Sequence, residues 1–427
     1  MTAEMAADRQ TTWITLDPRT QPAADVVDAP FVHGYVAPGW ESVAEVFAEN
    51  FARGELGASC SVTHGGHRVV DLWGGQREPE GAPWGEQDLA VFFSCSKILA
   101  TLVIHRLIAD GLLALDTPLK NLWPELKAAQ SGATLRMVLC HTIGLPALVK
   151  KLRSGAYNNH EYISGQLEQQ EPFWEPGTRL GYHPITYGFL LGEIVRRATG
   201  KTLGRYFADQ FAQPLGLDLY IGLPPSLFPR VAPIRAYALS REDAVKHVAV
   251  GSQTIGSIQN LWLFNSGGWR TDEINSAEGL KAEIPAASGV GNARSLDALL
   301  AIFNDTAKLD RLGFNEESIA GLESVASATQ KDATLLCNSR FSLGMMKSID
   351  NREDPCADSF IIGRRGFGHV GMGGSFGLCD REAGFSAAYV MNQQGHGILL
   401  NDRGQRLIDA MYRSAGFSRI RGGEWQP

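Results

Sequence analysis

The chain has 427 residues, with 39 Lys and Arg against 46 Asp and Glu for a net charge of −7, which excludes a polycationic composition, so nucleic acid is not expected as a partner. At 44% hydrophobic and 20% charged residues, with 47 Gly and 20 Pro, disorder and collagen-like repeats are excluded as well. The length implies roughly two to three lobes at about 150 residues each.

Residues 1–30 read as an N-terminal arm with no clear periodicity. Residues 1–21 are acidic and polar where a secretory signal needs a basic start and about 7–15 apolar residues, so no export signal is expected. A helix is predicted from about Gly39, because Trp40, Val43, Val46, Phe47 and Phe51 recur on a single stripe. Strand-like runs at 58–63 and 68–73 flank Gly65-Gly66, a dipeptide that tolerates the positive φ of a two-residue turn, and they predict a hairpin. A polar Pro/Gly loop follows over 74–86. A strand-like run at 89–93 then gives way to a helix over 97–113, with further helices at 135–140 and 186–199 and loop punctuation at Gly144-Leu145-Pro146 and Pro176-Gly177. The apolar stretch 98–113 is interrupted by His105, Arg106 and Asp110 and is shorter than the about 20 residues of a bilayer span. No membrane anchor is expected.

Residues 212–290 are rich in loop signals, helix returns at 295–304, and strand character reappears at 385–391. A closing helix at 406–414 carries Leu407, Ile408, Met411 and Tyr412. There is no internal repeat. The order sheet, helical block, sheet predicts an α/β fold in which an antiparallel sheet with terminal helices is interrupted by an all-helical lobe. The expected division is an arm over 1–30, an α/β lobe from 31–100 and 290–427, and a mainly helical lobe over 101–289, with the active site in the cleft between the lobes.

Cys60, Cys95, Cys140, Cys337, Cys356 and Cys379 are spread thinly with no CxxC pair, so neither a zinc site nor a disulfide framework is expected. Reduced thiols fit a cytoplasmic protein. His64 and His67 form an H-x-x-H across the hairpin turn without a third ligand nearby, and no metal or cofactor is expected. His141 and His183 read as structural hydrogen-bonding groups in loops.

The sharpest chemical signal is Ser94-Cys95-Ser96-Lys97, where strand gives way to helix; only Ser94 among the serines has a lysine three positions on. The start of a helix offers outward N–H groups that favour an oxyanion on Ser94. Residues i and i+3 share a helix face, so Lys97 can reach Ser94 Oγ, the minimal pair for covalent acyl transfer. The same four letters also fit a plain helix cap with a solvated lysine. Gly181-Tyr182-His183-Pro184, after the turn Trp174-Glu175-Pro176-Gly177-Thr178, delivers a tyrosine just ahead of a helix. An adjacent ammonium would lower its pKa, making Tyr182 a candidate base for Ser94 and acid for the leaving group; a core tyrosine is the alternative. Residues 366–375 are dense in glycine before strand-like sequence, where backbone can approach a ligand and an N–H near Met372 could face a developing oxyanion. Cys95, beside the candidate nucleophile, reads as buried and inert. Phe173, Trp174, Trp262, Phe264 and Trp269 could wall an acyl pocket or simply pack.

Ser94-x-x-Lys97, Tyr182 after the W-x-P-G-T turn, and His369-x-Gly371 stand in the order and rough spacing of the three motifs of the serine β-lactamase and penicillin-binding-protein superfamily, and the chain most resembles its class C-like esterase branch. Asp71-Leu72-Trp73-Gly74-Gly75, the stretch from Leu139 to Pro146, Tyr187-Gly188, Asn292-Ala293-Arg294 and Tyr389-Val390-Met391-Asn392 extend the likeness over about residues 30–415. The resemblance implies an acylated Ser94, proton handling by Lys97 and Tyr182, and an oxyanion hole from the N–H groups of Ser94 and Met372. It also sets His369 and Gly371, in the third motif, on the oxyanion side; Trp174 is a candidate substrate-binding residue as a wall of the acyl pocket. Which of Lys97 and Tyr182 is the general base stays open, and the two can titrate as a unit. Family β-lactamases usually carry Lys where this chain has His369 and Asn where it has Pro184, which disfavours strong β-lactam hydrolysis. The expected activity is hydrolysis of small carboxylic esters; the alternatives are acyl transfer to an amine or alcohol, weak β-lactamase or D-amino-acid amidase action, or a binding module without turnover. The expected partner is a small-molecule ester or acyl substrate, and oligomeric state is left open.

Overall fold

The computed structural model describes residues 12–16, 32–238, 243–265, 271–354 and 356–427. Its centre is a seven-stranded antiparallel sheet built from β1 (Thr12–Leu16), β2 (Val32–Val36), β3 (Gly57–His64), β4 (His67–Gly75), β5 (Phe367–Val370), β6 (Phe376–Asp380) and β7 (Phe385–Met391), in the order β1-β2-β4-β3-β7-β6-β5. The predicted hairpin is β3–β4, and both Gly65 and Gly66 take positive φ, 56° and 81°, as a two-residue turn matched to strand twist requires. The arm holds one element the periodicity did not show: β1 pairs with β2 at the sheet edge. The other residues of the arm lie outside the described residues.

Both faces of the sheet are covered. Helices α1 (Glu41–Ala52) and α5 (Asp402–Ser414) pack together on one face, where Phe47, Phe51, Leu407 and Met411 join a core with strand residues such as Cys60, Leu378 and Tyr389. The other face meets α4 (Ala293–Ala301), pinned by buried Asp297, which accepts the hydroxyls of Ser61, Thr63 and Ser386 at 2.7, 2.8 and 2.5 Å. A second core runs from that face through α2 (Ser96–Ala109) and α3 (Thr186–Thr199). Helix α2 is buried on nearly every side, as an apolar run with no polar face demands. It ends short of the expected 113 because Gly111 turns at φ 72°. No helix among the described residues is long and apolar enough to cross a membrane.

Residues 212–290 contain short pieces, among them the helices His247–Ser252 and Ile258–Phe264 and the strand Leu219–Ile221. That strand and Ala90–Val91 flank Gly289–Gly291 in a small three-stranded sheet. This small sheet matters for the site, because Ala90–Val91 feeds directly into residues 92–97.

Candidate active site

Phe92 N donates to Gly289 O at 3.0 Å, and the chain then turns through Phe93 at φ 47°, a left-handed conformation that costs a phenylalanine about 1–3 kcal/mol. Ser94 follows on a tight turn in which Lys97 N donates to Ser94 O at 3.0 Å, and α2 begins at Ser96. The serine is thus half-buried just before the helix, and Lys97, one turn on, is wholly buried beneath it.

Lys97 Nζ donates to Ser94 Oγ at 3.1 Å, to Pro184 O at 2.7 Å and to Ala286 O at 3.0 Å. Burial drives this amine well below the ordinary lysine range. Tyr182, only 3% exposed, places its ring 4.9 Å from Lys97 Nζ, and its hydroxyl interacts with the Ser94 side chain. Burial pushes the phenol up, opposite to the lowering expected from the sequence. The reason is that desolvation outweighs the hydrogen bond from Ser94, which acts in the lowering direction.

The ring of Tyr182 stacks on Phe341 at 5.9 Å and 3°, with the imidazoles of His141 and His369 at 5.1 and 5.9 Å. Its backbone N–H donates to Asp332, which also accepts from Thr334 N, Leu335 N and Ser339 Oγ. His183 serves structure, as expected: Nδ1 donates to Gly181 O at 2.6 Å and Nε2 accepts from Leu145 N at 3.0 Å. His141 Nδ1 accepts from His183 N at 3.2 Å. Trp174 packs over the Gly181 backbone and donates from Nε1 to Thr142 O at 3.1 Å, bracing the turn that carries Tyr182.

The third motif lies against the first. Cys95 Sγ contacts His369 O at 3.4 Å, and a Cβ on Gly371 would stand 2.3 Å from Phe92 O, so only glycine permits this approach. Gly371 N is spent on Ser375 O at 2.7 Å. The N–H groups of Ser94 and Met372 have no acceptor among the described residues, which is unusual for amides this close to a core and suits a ligand oxygen. His369 is fully buried; Nδ1 donates to Val370 O at 2.8 Å, leaving Nε2 unpartnered, and burial holds its pKa down at about 3. Cys95 is buried and its thiol pushed up, consistent with inertness.

A family model described as beta-lactamase matches residues 35–409. The chain belongs to the beta-lactamase family. It is similar to an esterase/beta-lactamase, LipL, of Mycobacterium tuberculosis, with 31% identity over 388 residues that cover 87% of this chain and 85% of LipL. A penicillin-binding-protein homolog from Caulobacter crescentus shares 31% identity at a TM-score of 0.77, covering 90% of this chain and 99% of that one. A family VIII carboxylesterase shares 30% identity at a TM-score of 0.77 over the same fractions.

Within this beta-lactamase family member, the structure brings Ser94, Lys97, Tyr182, His369, Gly371 and Met372 together, while Trp174 supports from behind the tyrosine turn. Sequence reasoning missed Asp332 and the carbonyls of Pro184 and Ala286. Asp332 acts through a backbone amide and sits in no recognisable motif, and a carbonyl carries no residue-type signature. Phe264 lines an apolar cavity with Met372, Trp262 is half-buried, and Trp269 lies outside the described residues. Among the described residues no three His, Cys, Asp or Glu side chains gather as a metal site needs.

Proposed function

We propose that the chain is a serine carboxylic ester hydrolase working through an acyl-Ser94 intermediate. The observation that carries this reading is the setting of Lys97 Nζ, which has two carbonyls at 2.7 and 3.0 Å and Ser94 Oγ at 3.1 Å. In the free-amine form that burial favours, two N–H donors serve the two carbonyls and the lone pair takes the third direction, where it accepts the Ser94 O–H in place of the donation made by the ammonium. Lys97 then takes that proton as Oγ bonds to the ester carbonyl carbon. Tyr182, a neutral phenol, protonates the departing alkoxide and is reprotonated from Lys97, so the alcohol leaves and the acyl–Oγ bond remains. Water adds to the acyl carbon as its proton passes to Lys97; Ser94 Oγ regains a proton through Tyr182 and the carboxylic acid leaves. The Ser94 and Met372 amides would hold the oxyanion in both half-reactions.

The similarity to the esterase/beta-lactamase LipL and to the family VIII carboxylesterase supports ester hydrolysis. A neutral, buried His369 and a Pro184 whose carbonyl is committed to Lys97 argue against strong β-lactam hydrolysis. Six free thiols support a cytoplasmic setting. Intact-protein mass after brief exposure to p-nitrophenyl butyrate or a fluorophosphonate tests the reading: the expected adduct is one acyl or phosphonyl group, absent in Ser94→Ala. A folded protein that takes no adduct on Ser94 overturns it. Added amine that yields amide at the expense of acid would move the assignment to acyl transfer.

A further inference from the structure

A cavity of about 320 Å³ lies beside the third-motif turn, walled by Val248, Leu263, Phe264, Leu335, Ile398 and Met372. That volume is at the lower end of the roughly 300–1,000 Å³ of small-molecule sites, and its walls are mostly apolar, as such sites are. The polar groups on its wall already have partners: Lys246 pairs with Asp358 at 3.4 Å, and His247 Nε2 lies 2.6 Å from Asp354 Oδ2. Phe264 is 68% exposed here, a large aromatic left in water. Two links tie the cavity to the reacting centre. Met372 lines the wall, and its N–H has no acceptor among the described residues. Leu335 follows by three residues the Asp332 that fixes the Tyr182 amide and itself donates to that carboxylate at 2.9 Å. A larger polar cavity of about 830 Å³, between Glu193, Arg196, Arg197 and Glu283, includes none of Ser94, Lys97, Tyr182 or Met372.

We propose that the apolar cavity seats the hydrocarbon group of the ester, so that the enzyme prefers esters with a medium-length chain over acetates; this rests on the ester-hydrolase reading above. The proposal places the carbonyl oxygen at the Met372 N–H and the hydrocarbon substituent in the cavity that Met372 lines. Each methylene buried there raises kcat/KM by about three- to fourfold until the cavity is full.

The test is a pair of chain-length series, p-nitrophenyl acyl esters from acetate to octanoate and acetates of alcohols from ethanol to octanol, run on the wild type and on Ala249→Trp. Ala249 is half-exposed on the cavity wall and takes no part in the chemistry. A rising series followed by a plateau identifies whether the acyl or the alcohol side enters. In Ala249→Trp the gain with length disappears while turnover of the shortest ester stays within about twofold. Flat series in both directions, with the Ser94 adduct still forming, overturn the cavity assignment alone. No turnover and no adduct overturn the hydrolase reading itself. An independent measurement uses wild-type protein: Cys356, half-buried on the cavity wall, is the most exposed of the six thiols, and its iodoacetamide labelling, read by peptide mass, slows in octanoate but not in acetate. Equal labelling in the two acids contradicts the proposal even if the tryptophan variant does not fold.

Discussion

Asp332 holds the Tyr182 amide with both carboxylate oxygens, each at 3.0 Å. The same carboxylate accepts Thr334 N at 2.7 Å, Leu335 N at 2.9 Å and Ser339 Oγ at 2.8 Å, so one buried side chain fixes the tyrosine turn against the loop behind it. Asp332→Ala strands these donors, at about 1–3 kcal/mol for each left unsatisfied. We expect a lower Tm and, in the fraction that folds, kcat reduced at least tenfold with KM little changed. Thermal unfolding with Michaelis kinetics checks this; an unaltered kcat would confine Asp332 to stability.

Tyr182→Phe removes only a hydroxyl, since the ring stays stacked on Phe341. Loss of the hydroxyl proposed above as the proton carrier is expected to slow ester turnover by about 10²–10⁴-fold with unfolding unchanged. Full turnover in the variant would shift proton delivery to Lys97 alone.

The pH profile follows from two opposite displacements, Lys97 downward and Tyr182 upward, both by burial. A base must be deprotonated and an acid protonated, so kcat/KM is expected to rise through a pKa well under that of ordinary lysine and then hold a plateau. No alkaline fall is expected before the ordinary phenol value of about 10. Initial rates from pH 5 to 10 on a substrate with a pH-independent leaving group decide it, and a decline between pH 8 and 10 contradicts a neutral phenol.

His183 and His369 are held at about 3 and His141 well below its usual value, in each case chiefly by burial. The unfolded imidazoles bind protons near pH 6.5, which the folded ones refuse. Their contribution to stability is therefore complete above about 6.5 and is lost as pH falls toward 3. Asp297, pushed up to about 6 by burial, runs the other way, its contribution fading as pH climbs from about 4 through 6. The comparison is accordingly between wild type and His183→Gln: the urea midpoint of the variant is expected to depend less steeply on pH between 7.5 and 4.5. Parallel curves would count against the assignment.

Gly371→Ala puts a Cβ 2.3 Å from Phe92 O. The third-motif turn must move away from the residues that carry Ser94, and the Met372 amide moves with it. We expect about a 10²-fold loss in kcat, the scale of one lost oxyanion donor; wild-type kcat would show that the N–H does not serve the reaction.

Much of the candidate site could be read from residue types because the chemistry proposed for it runs through side chains at short, fixed spacings. Ser94 and Lys97 are one helical turn apart, Tyr182 sits on a turn announced by Pro and Gly, and the approach of Gly371 to Phe92 needs a residue without Cβ. What escaped has a physical reason in each case. The restraints on Lys97 come from the Pro184 and Ala286 carbonyls, which any residue could supply. The sign of the Tyr182 shift depends on burial, which no spacing reports. The helices between 212 and 290 that end at Ser252 and Phe264 have six and seven residues, too few for two full turns of an apolar period. The edge strand Thr12–Leu16 has only five residues.

Lys97 belongs to a helix in one apolar core and Tyr182 to the other. Chemistry here therefore reports on the fit between two separately packed halves, and a small slip along their seam silences the serine while leaving both halves folded. Inactivation on gentle heating would then precede the loss of secondary structure, and the gap between those two temperatures would measure how tightly the halves grip one another.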